Sequence, residues 1–322
     1  MLLSDYYITV LLSDCVMILS GSCLIVLLCY NNIASRSTQS ITVLSSDYNT
    51  ERELHKMSKI ICITTSKGGA AKTTNSFEIA GALHVLGKKV LVIDLDQTCG
   101  ITNFAGLKYN SEERVEYNIK TSFELLAGTC TLDEAILEYE FFDIIVGDER
   151  FAKAESTFTD DDDPYLVKTL LEMLDEDEYD YIILDHGPQN DIIKKMCYIA
   201  ADQFFITTFK PETDREEAKR AIDEIIRLQK QRNNKVEGEI IGCILSRIEK
   251  ASLTEIAELD MQEKLNEYNE ARKVSTRLFS IRKSIKLEES QTYKTPYCVA
   301  HKSAPVSRDI YEIAEYITSI NE

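Results

Sequence analysis

The 322-residue chain has no cysteine pair at CxxC spacing and no cysteine–histidine cluster spaced for zinc. Its nine cysteines (15, 23, 29, 62, 99, 130, 197, 243 and 298) are scattered, and read as reduced thiols used as small apolar residues in a cytosolic protein. Positive charge is scarce as well. Lys and Arg number 36 against 54 Asp and Glu, a net charge of −18. That balance argues against a surface coated for nucleic acid, although a local basic patch can survive it. The apolar run at residues 15–30 is sixteen residues long, short of the roughly twenty a spanning helix needs. Extending it back to Tyr7 would bury Asp14. The leader has no basic n-region, since Asp5 is its only early charge, so it makes a poor signal peptide. No internal repeat is present.

What remains is a chain 44% hydrophobic, long enough for one large domain or two small ones. Residues 31–56 are polar and without period, and Met57 then opens on MSKIICITTSKGG, as a self-contained nucleotide-binding domain would. Residues 1–56 are therefore expected to be a poorly ordered leader, or to precede the physiological start at Met57. Residues 57–322 are expected to form the folded domain.

From Lys59 onward, strand-like runs alternate with helix-period segments. The expected strands are 59–64, 90–94, 143–146, 181–185, 203–208, 240–246 and 273–281, several continuously apolar as strands covered on both faces must be. The expected helices are 73–86, 165–174, 191–201, 213–232, 253–270, 284–293 and 306–320. This alternation predicts an α/β fold with three layers and a doubly wound, mostly parallel sheet. Two acidic clusters, 160–163 and 175–178, flank one helix and read as solvated ends, because their spacing fits no calcium loop.

The chemistry concentrates in the loop Ser66-Lys67-Gly68-Gly69-Ala70-Ala71-Lys72-Thr73-Thr74, set between the first strand and the first helix. Successive backbone N–H groups and a helix N-terminus there would cradle phosphate. Gly68 and Gly69 allow close approach of an anion, Lys72 should reach the β- and γ-phosphates, and the Thr73 hydroxyl should hold Mg²⁺. Against the template G-x-x-x-x-G-K-S/T, Ser66 and Ala71 stand where glycines are expected. Three carboxylates sit at strand ends, where an open α/β sheet places its ligand site. Asp94 and Asp96 close the second strand, and Asp185 ends the apolar run Tyr181-Ile182-Ile183-Leu184-Asp185 in the Walker-B manner.

Together these residues resemble the ParA/MinD family of deviant Walker-A P-loop NTPases, and within it the ParA partition ATPases. The family pattern x-K-G-G-x-G-K-T-S/T matches residues 66–74 except at Ala71, and residues 90–96 match the second strand. Gln97-Thr98 stands where the family has Pro-Gln, and His186-Gly187-Pro188 where it has Thr-Pro-Pro. Ile281-Arg282-Lys283-Ser284-Ile285-Lys286-Leu287, with Glu289, Tyr293 and Pro296, resembles its C-terminal segment. The resemblance spans residues 59–320.

The resemblance implies an ATPase using ATP and Mg²⁺, with Lys67, Gly68, Gly69, Ala70, Ala71, Lys72, Thr73 and Thr74 on the nucleotide. It makes Lys67 the signature lysine that crosses a homodimer interface to the partner's nucleotide, where a cation steadies charge on the transferred phosphoryl group. Asp96 then positions the attacking water, and Thr73, Asp94 and Asp185 stand on the metal side. It further implies non-specific DNA binding by the ATP dimer, a DNA-bound ParB-like partner, and a cytoplasmic, nucleoid-associated location.

Residues 272–286 carry six basic residues and no acid, with Arg282, Lys283 and Lys286 on or beside basic positions of the family segment, a candidate DNA surface. A MinD-like membrane-surface ATPase is the rival reading. The acidic, lysine-free end at residues 311–320 disfavours it, since lipid binding calls for a basic amphipathic helix. A membrane-anchored tyrosine kinase would need a terminal tyrosine cluster, and a nitrogenase-type iron protein paired cluster cysteines.

Overall fold

The computed structural model describes residues 58–322, apart from 176–177, 189–190, 232–235, 250–251, 291 and 293, together with three strands between residues 8 and 29. The chain divides into two units, Met1–His55 and Lys56–Glu322. The first contains β1 (Ile8–Leu12), β2 (Cys15–Ser20) and β3 (Leu24–Cys29), paired antiparallel in sequence order. Within the apolar run at residues 15–30, Cys15–Ser20 and Leu24–Cys29 are thus strands rather than parts of a helix. Among the described residues no helix is long and apolar enough to cross a membrane. The polar stretch 31–56 and Met57 lie outside the described residues.

The second unit is built on eight strands: β4 (Lys59–Thr64), β5 (Val90–Leu95), β6 (Ile136–Tyr139), β7 (Phe142–Ile145), β8 (Tyr181–His186), β9 (Gln203–Thr208), β10 (Glu239–Ile248) and β11 (Arg277–Arg282). Their spatial order is β11-β10-β9-β4-β8-β5-β7-β6, and every pair is parallel except β6 with β7. Alternate residues of the central strands feed two separate cores. Leu91, Ile93, Ile182 and Leu184 enter one, while Val90, Val92, Tyr181 and Ile183 enter the other. A sheet buried on both faces needs apolar residues at both parities, which is why these strands are continuous apolar runs rather than alternating ones. Helices cover each face, giving the three-layer, doubly wound architecture.

β4 and β9 have the expected bounds, and β5, β8 and β10 extend beyond theirs. β11 begins four residues later than the expected strand at 273. Lys273 takes a left-handed turn (φ 59°) that ends the helix Ser252–Arg272, and the Thr276 N–H is tied to Asn269 Oδ1 at 2.9 Å. The hairpin strand β6 and the short helices Ser111–Glu116, Ser122–Leu126 and Leu132–Ala135 were not expected. Each of those helices carries a capping box, Asn110 with Glu113, Thr121 with Glu124 and Thr131 with Glu134. Those three spacings are the sequence signal that marks them.

Of the six cysteines between residues 58 and 322, five are buried as small core residues. In the first acidic cluster, Asp163 caps its own turn by accepting from the Asp160 N–H at 2.8 Å. Residues 176–177 of the second cluster lie outside the described residues.

Candidate functional site

The loop between β4 and the helix Lys72–Val85 sits at the C-terminal ends of β4, β8 and β5, which are adjacent in the sheet. In-register pairing sets Asp185 beside Ile63 on one side and Asp94 on the other. The parallel sheet thus carries the loop and both acids to one edge.

Gly69 and Ala71 both have left-handed backbone, φ 74° and 62°. Glycine takes that conformation freely, whereas the Ala71 Cβ crowds its own carbonyl. Ala71 occupies the N-cap position of Lys72–Val85 without a side-chain cap. The position where the family pattern has glycine is therefore one that wants glycine. Ala71→Gly is expected to stabilise the protein by about 1 kcal/mol, raising the melting temperature by about 2–4 °C. An unchanged or lower melting temperature would show that the loop relaxes around the alanine.

Neighbouring strands brace the loop. The Thr207 hydroxyl donates to the Ala70 carbonyl at 2.8 Å, and the Asn75 amide donates to Thr207 at 3.0 Å and to the Ser246 hydroxyl at 3.3 Å. Lys72 folds back over the loop, its Nζ donating to the Lys67 carbonyl at 3.3 Å. It is 6% exposed. Burial lowers its pKa, and the charges of Asp185 and Asp96 oppose that fall.

The three carboxylates differ in what they touch. Asp94 is fully buried, with Oδ1 accepting from the Asp96 N–H at 3.1 Å and Oδ2 from the Thr102 N–H and hydroxyl at 3.0 and 2.6 Å. Burial pushes it up to about 6, against those hydrogen bonds. Its oxygens thus accept from protein donors, although the family resemblance implies a place on the metal side. Asp185 is also fully buried, and Ser76 donates to its Oδ1 at 3.2 Å while Oδ2 has no hydrogen-bond partner among the described residues. Burial pushes Asp185 up to about 8, the Asp94 charge adds to the rise, and the Thr73 hydroxyl and Lys72 ammonium pull against it. A buried acid with an orphaned oxygen, beside a threonine hydroxyl, fits a divalent cation, because added positive charge would relieve both the burial penalty and the Asp94 repulsion.

Asp96 faces the open side. Its Oδ1 accepts from the Thr98 N–H at 2.9 Å, and it lines a cavity of about 420 Å³. Residues 68–75 form one wall of that cavity, and Pro188, Phe209, Arg247, Ile281 and Leu287 lie among the residues of the rest. The Arg247 guanidinium lies 4.9 Å from the Phe209 ring centroid and is paired with Glu288 at 3.1 Å. The volume and its split into a loop-lined end and a partly apolar end suit a ligand with an anionic tail and a flat apolar head. Phe209 and Arg247 were not singled out from sequence, which offers no local motif for them, whereas Ile281 and Leu287 belong to the segment that resembles the family's C-terminal one.

Lys67 does not line this cavity. Its ammonium is paired with Asp214 in the first turn of the helix Glu212–Gln229, with side chains 43% and 6% exposed. The candidate DNA residues are all exposed, but two are paired: Arg282 is bidentate to Asp309, both contacts at 2.7 Å, and Lys283 meets Glu249 at 3.0 Å. Elsewhere in the basic run, Arg272 pairs with Glu239 and Arg277 with Glu312. The run that is acid-free in sequence is therefore largely neutralised by acids from other elements. Tyr293 lies outside the described residues.

Residues 58–238 match the family model described as an AAA domain. The chain belongs to that family, on its ParA/MinD-type branch of P-loop ATPases. Among relatives of this branch, the septum site-determining protein MinD of Synechocystis is 35% identical over 129 residues, 40% of this chain and 45% of that protein. The chromosome-partitioning ATPase Soj of Treponema pallidum is 29% identical over 154 residues, 47% of this chain and 56% of that protein. The chain thus spans about half the length of the curated relatives it matches. The structure of a Cyanothece McdA variant in complex with ATP superposes with a TM-score of 0.70 at 21% identity, covering 82% of this chain and 97% of that one, a likeness of ParA/MinD fold.

Proposed function

We propose that residues 57–322 form an ATP-hydrolysing domain that dimerises around two nucleotides, binds DNA non-specifically as the ATP dimer, and partitions plasmid or chromosomal DNA. The observation that carries this reading is the arrangement of two loop lysines. Lys72 is buried among the acids under the cavity, and Lys67 stands outside it. Lys72 and the loop N–H groups would hold the phosphates, with the base toward Phe209, Ile281 and Leu287. Asp96 would orient the attacking water. Thr73 and Asp185 would hold Mg²⁺, with Asp94 behind them fixing Asp96 and Thr102. When bound, Mg²⁺ would supply charge neutralisation on the phosphate oxygens. Lys67 would complete the partner's site across the interface, so turnover waits on assembly. The ParB-like partner and the nucleoid location belong to this reading.

The ion pair of Lys283 does not exclude a DNA role. The Lys283–Glu249 pair is exposed on both sides and worth at most about 1 kcal/mol, so phosphate can displace Glu249. A MinD-like membrane role has less support, because the helix Pro305–Asn321 buries Val306, Ile310, Ile313, Ala314 and Ile317 in the core. That apolar face is not available to lipid.

The test is binding of random-sequence duplex by the Asp96→Ala protein with ATP or ADP across a salt series. ATP-dependent binding is expected, with a log–log salt slope of about −5 if Arg282, Lys283 and Lys286 engage from both protomers. Lys283→Glu with Lys286→Glu should flatten that slope and weaken binding about 100-fold at low salt. Wild-type protein that binds no DNA at any salt would replace the partition reading with another cargo.

A further inference from the structure

The segment after Asp185, His186-Gly187-Pro188, departs from the family pattern, and the structure gives that departure a role. His186 is fully buried at the end of β8, yet both ring nitrogens are satisfied. Nδ1 lies 2.8 Å from the Gly187 carbonyl oxygen, which can only accept, so the proton sits on Nδ1. Nε2 therefore accepts, and its partner at 3.1 Å is the Thr64 hydroxyl. The Thr64 oxygen in turn accepts from the Tyr198 hydroxyl at 2.9 Å. The Tyr198 ring is wedged edge-on between His186 and Phe204, with centroids 6.1 and 5.2 Å away. Each donor in this relay has one acceptor, so its direction is fixed from Tyr198 on the helix Asp191–Ala200, through the last residue of β4, to the peptide that follows β8.

That peptide is packed against the site. A Cβ at Gly187 would fall 2.8 Å from Asp96 Oδ1 and 3.1 Å from its Cγ. On the other side, a Cβ at Gly68 would meet Pro188 Cγ at 3.5 Å. The Gly187–Pro188 unit is thus a spacer between the Asp96 carboxylate and the first loop glycine, and any shift of its carbonyl moves what Asp96 leans on.

We propose that His186 is a positioning residue: through the Tyr198–Thr64–His186 relay it sets Gly187–Pro188 against Asp96 and aims that carboxylate into the nucleotide cavity. The proposal rests on Asp96 acting in hydrolysis. A histidine that only fills the core would cost stability when replaced and nothing more. A positioning histidine changes kcat while leaving nucleotide affinity in place.

The experiment measures the melting temperature, the Kd for a fluorescent ATP analogue, and kcat and KM, on the full-length protein. His186→Leu removes the ring donor, His186→Asn keeps a donor where Nδ1 was, and His186→Gln places its amide near Nε2 instead. His186→Leu and His186→Gln should lower kcat about 100-fold with Kd within about twofold, since displacement of a catalytic group by about 1 Å costs that much. His186→Asn should recover most of the loss. Thr64→Val should lower kcat about tenfold alone and add nothing to His186→Leu, as members of one relay do. If His186→Leu does not fold, Thr64→Val carries the test. A folded variant with wild-type kcat, equal loss of kcat and affinity, or Asn no better than Gln would overturn the relay. A wild type that neither binds nor hydrolyses ATP would overturn the ATPase reading itself, and the relay with it.

Discussion

Lys72→Ala is expected to abolish nucleotide binding, with Kd for a fluorescent ATP analogue rising at least about 100-fold, in line with the roughly 3–5 kcal/mol lost when a buried ion pair is broken. The size follows from burial. Lys72 is 6% exposed and lies in the fields of Asp185 and Asp96, with Asp94 one strand over. Without the ammonium, an incoming triphosphate would meet those acids with no counter-charge from the loop. The nucleotide-free variant should nonetheless fold. Burial already pushes the Asp185 carboxyl up to about 8, so removing a nearby cation raises it further and the group takes a proton instead of standing as an unpaired charge. Lys72→Arg should bind nearly as poorly, because a guanidinium fork does not fit where a compact ammonium reaches one carbonyl. Retained affinity in Lys72→Ala would remove the phosphate-loop assignment.

The strands and their order of appearance were legible in the sequence because burial on both faces leaves a strong local mark, a short apolar run closed by a polar residue. The loop and its three acids were legible for the same reason, since each closes such a run. Partners were not. Asp94 and Asp185 look alike at the ends of their strands, yet one has both oxygens bonded, by the Asp96 N–H and by Thr102 eight residues on, and the other has an oxygen with no partner among the described residues. The partner of Lys67 is 147 residues away, and the two longer bonds of the His186 relay span 122 and 134 residues. Periodicity reports which face a residue occupies, not what stands opposite. The basic run 272–286 fails in the same way: its sign was legible, but Glu239, Glu249, Asp309 and Glu312 reach it from other elements. Ala71 is the opposite case. It stands alone against a family glycine, a purely local departure, and its φ of 62° explains why glycine suits that position.

Lys67→Ala and Asp96→Ala are expected to keep ATP binding within about threefold while lowering turnover about 1,000-fold each, the first by removing a cation supplied to a phosphoryl-transfer site and the second by removing the group that orients the attacking water. Binding survives because Lys67 does not line the cavity and Asp96 repels rather than attracts phosphate. Asp214→Ala should act in the other direction. It frees Lys67, which is 43% exposed and needs no buried partner, so ATP-dependent dimers should form at lower protein concentration. Mixing separates action within a subunit from action across the interface. In a dimer of one Lys67→Ala and one Asp96→Ala protomer, one site keeps its own Asp96 and receives an intact Lys67 from the partner, and the other site lacks both. Random pairing of equal amounts makes half the dimers mixed, with one of two sites complete, so about one quarter of wild-type turnover should return. Two inactive variants that stay inactive on mixing, while exchanging subunits, would place Lys67 in its own subunit's site. The loop with two lysines would then imply a nucleotide without implying a dimer.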